Sequence, residues 1–195
     1  MDCIDEIKKY IEVNYSEKRK IHTYGVVKTA CQLAKMYGED EKKAEVAALF
    51  HDMYRGVSKQ SINCYVKHLG LASKYIDNCN LAHGKIAAIV MKRDFDINDT
   101  DILNAVSFHT TGRKGMSLLE KIIYIADAIE PNRSYPNVDD IRKMAYKDLD
   151  EAVYMSMCNT ISFVKSSGNY LDQDTIEAKD FIEFEIKNSR KEKIE

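Results

Sequence analysis

The chain has 195 residues, the size of one domain, and its 29 lysine and arginine residues against 31 acids leave a net charge of -2. No global cationic field therefore attracts nucleic acid or an acidic membrane. Five cysteines without a C-x-x-C pair (Cys3, Cys31, Cys64, Cys79, Cys158), an acidic start at Asp2, Asp5 and Glu6, and no apolar run near eighteen residues argue against a secreted or membrane protein. The expectation is a cytoplasmic chain whose thiols are reduced and pack as small buried hydrophobes.

Two prolines, eight glycines and apolar spacings of three and four predict an all-α chain. Ile4, Ile7 and Ile11 mark a first helix, and a second runs from about Ser16 through Val26, Val27, Ala30, Leu33 and Ala34 to Gly38. Asp40 caps a third, whose Ala44, Ala47, Ala48 and Phe50 lead into His51 and Asp52, with Gly56 as its stop. Ser58 to Gly70 reads as a fourth helix. His83 to Arg93 and Asp99 to His109 follow, one histidine opening its helix and the other closing it. Ser117-x-x-Glu120 is a capping box that opens a helix reaching Asp127, and Pro131 ends it. Helices from Val138 to Tyr146, Leu149 to about Lys165 and Thr175 to about Ser189 complete the chain, with Lys191 to Glu195 frayed. No repeat or linker divides it, so a single helical bundle is expected.

Four of the five histidines, with two aspartates, sit at the ends or inner faces of separate helices: His22, His51, Asp52, His83, His109 and Asp127. Imidazole and carboxylate suit iron, manganese or zinc, and two such ions together generate a hydroxide nucleophile. A His-Asp dipeptide alone means little, since five histidines and 17 aspartates produce about 0.4 such pairs by chance. Context carries more. Asp52 ends a strongly apolar helix and Asp127 lies in Ile-Ala-Asp-Ala-Ile, where an unpaired carboxylate costs several kcal/mol. Taken singly, each acid fits an ion pair with lysine or arginine and each histidine a satisfied core position. Taken together, the set favours metals. His68, in Lys67-His68-Leu69-Gly70, stands outside it.

The ordered signature His22, His51-Asp52, Asp127 resembles the HD-domain metal-dependent phosphohydrolases over roughly residues 16 to 165. The additional His83 and His109, together with Ala48-Leu49-Phe50-His51-Asp52, His109-Thr110-Thr111-Gly112 and the run Ala126 to Arg133, resemble a bacterial branch of YqeK-type symmetrical bis(5'-nucleosyl)-tetraphosphatases. The resemblance implies a single HD-type helical domain over residues 1–195 with a C-terminal helix at about 175–189. It puts His22, His51, Asp52 and Asp127 on one ion and His83 and His109 on a second, with Asp52 bridging, and it favours iron as the native metal. It further implies hydrolysis of diadenosine tetraphosphate to two ADP by in-line attack at the central anhydride.

The catalytic roles then fall to Asp52, His83, His109 and Arg133. Cationic side chains near the metals offset charge on the departing diphosphate, and Arg133, Arg55 and Arg19 are taken in that order. Arg55 stands where many HD hydrolases carry lysine. Thr110, Thr111, Gly112 and Asn132 complete the substrate-binding set, although a helix-stop turn explains Thr110 to Gly112 almost as well. The partner expected is a small nucleotide, with no nucleic acid and no membrane, and a homodimer is allowed. Two other functions fit the same residues: an HD-type nucleotidase or dNTP phosphohydrolase on mononucleotides, and a non-catalytic helical interaction module.

Overall fold

A computed structural model describes residues 3–192. Ten α-helices and one 3-10 turn, with no strand, make up the described residues. In chain order the helices are α1 (Cys3–Asn14), α2 (Glu17–Tyr37), α3 (Glu41–Phe50), α4 (Lys59–His68), α5 (Cys79–Asp94), α6 (Thr100–Phe108), α7 (Leu118–Ile129), α8 (Val138–Ala145), α9 (Leu149–Ser166) and α10 (Gln173–Glu192). No described helix is long and apolar enough to cross a membrane.

Helices α2, α3, α5, α6 and α7 pack on one another at the centre, while α1 leans on α3 and α8 to α10 extend the bundle beyond α7. Small residues permit the close central packing. Ala30 and Ala34 of α2 and Ala44, Ala47 and Ala48 of α3 are fully buried, so two backbones approach without large side chains between them. In α7 the apolar residues Leu119, Ile122, Ile123, Ile125 and Ala126 are all buried, which makes it the core helix on which the others are laid.

Several local expectations hold in detail. Asp40 caps α3 by accepting from the N–H groups of Lys42 and Lys43, Ser58 caps α4, and Gly38 ends α2 with φ +78. Others change. The capping box before α7 is only half made: Ser117 Oγ accepts from Glu120 N–H at 3.1 Å, but the buried Glu120 carboxylate is held bidentately by Arg113 instead of returning to Ser117. Helix α5 begins at Cys79, one turn earlier than the sequence suggests, so His83 lies inside the helix and not at its start. α10 starts at Gln173 and continues through Lys191 to Glu192 without the expected fraying; residues 193–195 lie outside the described part. The cysteines form no disulfide among the described residues, none is fully buried, and Cys64 is exposed.

Candidate metal centre

Five helices bring six side chains to one place. His22 comes from the second turn of α2, His51 and Asp52 from the end of α3, His83 from α5, His109 from the end of α6, and Asp127 from α7. His51, Asp52, His83 and His109 are buried, and His22 and Asp127 half-buried.

The tautomers follow from the hydrogen bonds. His51 Nδ1 lies 2.6 Å from Ala48 O, His83 Nδ1 3.1 Å from Cys79 O, and His109 Nδ1 2.7 Å from Val106 O. A carbonyl only accepts, so each Nδ1 donates. His22 Nδ1 faces the Glu130 carboxylate at 3.2 Å in the same sense. All four Nε2 atoms are therefore turned inward, those of His22 and His83 toward the carboxylate oxygens of Asp127 and Asp52. Burial pushes the His51 imidazolium down, and that of His109 to about 3, which keeps both rings neutral. Burial is the largest influence on His22 and opposes its charge, but the hydrogen bond and charge of Asp127 together with the hydrogen bond to Glu130 outweigh it and raise the pKa.

The two oxygens of Asp52 divide the histidines into two sets. Oδ1 lies 3.1 Å from His83 Nε2 and 3.9 Å from His109 Nε2. Oδ2 lies 3.6 Å from Nε2 of both His22 and His51, and Asp127 Oδ1 joins that second set at 3.2 and 3.9 Å. His22, His51 and Asp52, and again Asp52, His83 and His109, each place ligand atoms within 4.8 Å of one another.

This donor set fits divalent cations. His51 Nε2 is fully buried and has no hydrogen-bond partner among the described residues. His83 Nε2 and His109 Nε2 face each other at 3.0 Å, and Asp52 Oδ1 lies 3.1 Å from the first of them, so three ligand atoms converge on one point. Burial works against the charge on Asp52 and Asp127, yet both are held well below the usual carboxylate range, Asp52 by His51, His83 and His109 and Asp127 by His22 and Arg133. Such anionic, lone-pair-rich sites are what cations neutralise.

Around this cluster stand the arginines. Arg19 Nη1 donates to Asp52 Oδ2 at 2.6 Å, which places Arg19 in contact with the centre and makes it more prominent than its rank in the sequence. Arg133 donates from Nε to the Asp127 carbonyl at 2.7 Å and from Nη2 to Asp127 Oδ1. Arg55 is instead bonded to Asn80 Oδ1 at 2.6 Å, because it lies on the turn beyond α3 that faces the start of α5. Thr111 is buried and its hydroxyl donates to Gly112 O at 2.8 Å. A side chain on Gly112 would meet Met157, Ala178 and Met116, so this turn serves packing against α9 and α10. Thr110 is half-buried beside it. Asn132 is exposed and binds Glu130 Oε2 through its backbone N–H at 2.7 Å and its amide at 3.0 Å.

Glu130 is the residue that sequence reasoning passed over. It is 2 % exposed, and its carboxylate spans His22 on one oxygen and Asn132 on the other. Gly25 makes room for it, since a Cβ there would lie 2.7 Å from Glu130 Oε2. Arg142 holds the surrounding loop through the carbonyls of Ile129, Glu130 and Arg133. A carboxylate on the outer nitrogen of a ligand histidine fixes its tautomer and raises its basicity. The only signal in the sequence was an acid directly before Pro131, in a segment already marked as distinctive.

Comparison with known proteins agrees with this geometry. The HD domain profile matches residues 19–132. Two symmetrical bis(5'-nucleosyl)-tetraphosphatases are each 40% identical: one from Bacillus subtilis over 88% of this chain and 92% of its own length, the other from Halalkalibacterium halodurans over 85% and 89%. A crystal structure from Clostridium acetobutylicum, described as a predicted HD superfamily hydrolase involved in NAD metabolism, is 46% identical, covers 91% of this chain and 95% of that one, and superposes with a TM-score of 0.86. With His22, the His51-Asp52 pair and Asp127 joined at the meeting point of its central helices, this chain belongs to the HD domain family.

Proposed function

We propose that this protein hydrolyses dinucleoside tetraphosphates at the central anhydride, diadenosine tetraphosphate and water giving two ADP. The observation that carries hydrolysis is the division of the Asp52 oxygens between two sets of inward-facing imidazoles. The choice of bond is supported by the relatives, which bear that activity in their names over most of this chain.

His22, His51, Asp52 and Asp127 would hold one cation and His83, His109 and Asp52 the other, with iron the proposed metal. Two bound cations supply Lewis-acid polarisation of phosphate and a lowered pKa for water. The protein's own groups do the rest. The imidazoles, anchored through Nδ1 by carbonyls and by Glu130, are held with Nε2 turned to the cation sites. Arg133, beside Asp127, and Arg19, beside Asp52, stand where charge would grow on the departing nucleoside diphosphate. A buried centre keeps bulk water from screening these charges. Asp52, His83, His109 and Arg133 are thus the proposed catalytic set.

A product assay on diadenosine tetraphosphate tests this directly. ADP as sole nucleotide product supports the proposal. ATP plus AMP overturns the bond choice, and faster turnover of dATP or ADP than of the tetraphosphate overturns the substrate class.

A further inference from the structure

A pocket of about 670 Å³ opens between α5 and α6, within the size range of small-molecule sites. Helical geometry puts it behind the metal centre. Lys85, Ala88, Ile89 and Lys92 recur at intervals of three and four and centre about half a turn round α5 from His83. Leu103, Asn104 and Ser107 stand in the same relation to His109 on α6.

The lining has two characters. Leu71, Ala88, Ile89 and Leu103 form an apolar floor, whereas Lys85 and Lys92 bring positive charge, and no acid contributes to the wall. Arg93 at the rim spends its guanidinium on Asp94. Lys85 is half-buried and, among the described residues, has no carboxylate within ion-pair distance; its ammonium rests on the Phe108 ring, 3.2 Å from the centroid. The acids that reach it electrostatically, Asp174 and Asp172, are both held by Lys74.

We infer that this pocket is a second, non-catalytic site for a nucleoside phosphate. Its phosphates meet Lys85 and Lys92, its base covers the aliphatic floor, and the base edge meets the amide of Asn104 and the carbonyl oxygen of Asn98, whose Nδ2 is held by Asp96. A plain inorganic anion leaves the floor uncovered. An acyl chain leaves the amides and Ser107 without partners.

Calorimetric titration of the metal-loaded protein with ADP tests the site. The unaltered protein is expected to bind one equivalent more per chain than Lys85→Met or the pocket-filling Ala88→Trp, with turnover of diadenosine tetraphosphate unchanged in both. Lys92→Gln, at an exposed position that does not endanger folding, is expected to weaken that extra equivalent about tenfold, the worth of one hydrogen bond to a charged group. Equal stoichiometry in the unaltered protein and Lys85→Met overturns the inference, as does inorganic phosphate displacing the extra ADP at equal concentration. Because the difference in equivalents is read without reference to turnover, failure of the hydrolase proposal leaves this result legible.

Discussion

At the scale of single residues, the centre depends on groups whose protons are placed by their neighbours. Asp52 is shared by both donor sets, so Asp52→Asn is expected to release both cations together and lower kcat/KM by more than about 100-fold, beyond the usual effect of a supporting residue. Metal analysis beside kinetics checks this; retention of one full equivalent would show that the carboxylate is not shared. Glu130→Ala is expected to weaken metal binding about 10- to 100-fold while Glu130→Gln, which still accepts from His22 Nδ1, recovers most of it. A metal-binding isotherm decides, and an alanine variant that binds normally refutes the orienting role. Lys85 offers a test of sign. Its folded pKa of about 8 lies below the ordinary lysine value, so the unfolded chain binds the extra proton between about pH 8 and 10.4, and stability gains from this group as pH rises through that window. Lys85→Met should therefore stabilise the protein at pH 7, with the gain fading by pH 10.4, as read from denaturant midpoints at each pH.

At the scale of elements, the approach of α5 to α6 sets the spacing of His83 and His109. Gly84 is the contact: a Cβ there would lie 2.7 Å from Val106 O and 3.0 Å from His109 Cε1. Gly84→Ala is expected to cost about 1–3 kcal/mol by overpacking and to empty the site formed by His83, His109 and Asp52 before the other. A thermal melt with metal stoichiometry measures both, and an unchanged second equivalent would sink the idea. Most of the helices were legible, because Asp40, Ser58 and Ser117 cap by side-chain chemistry and α7 buries a stripe of regular spacing. The start of α5 was not, since Cys79 to Ala82 carry no capping signal. The grouping of the six site residues was implied by the resemblance of their order to the HD signature. Which partner each arginine takes was not, because Arg19 to Asp52 and Arg55 to Asn80 are pairings across helices, and Glu130 acts only once Gly25 is packed against it.

At the scale of the whole molecule, five helices meet at a centre of converging lone pairs, so cation binding and folding are linked. A cation present at about 1,000 times its dissociation constant stabilises by about 4 kcal/mol, and for a chain of this size each kcal/mol moves Tm by about 2–4 °C. Chelation is accordingly expected to lower Tm by roughly 8–16 °C per site emptied, with the helical signal preserved below the transition because the apolar core of α2, α3 and α7 does not depend on it. A shift of under 2 °C would mean that the helices hold the site without help.

Arg19 and Arg133 each grip an aspartate oxygen that faces the imidazoles. They act as stand-in counterions, since Asp52 Oδ2 and Asp127 Oδ1 cannot serve a guanidinium and a cation fully at once. Cations held there would compete with the two guanidinium groups for these oxygens and would leave the arginines at the rim with hydrogen-bond donors to spare. Readiness to receive a polyphosphate would in this way depend on the metals having arrived first.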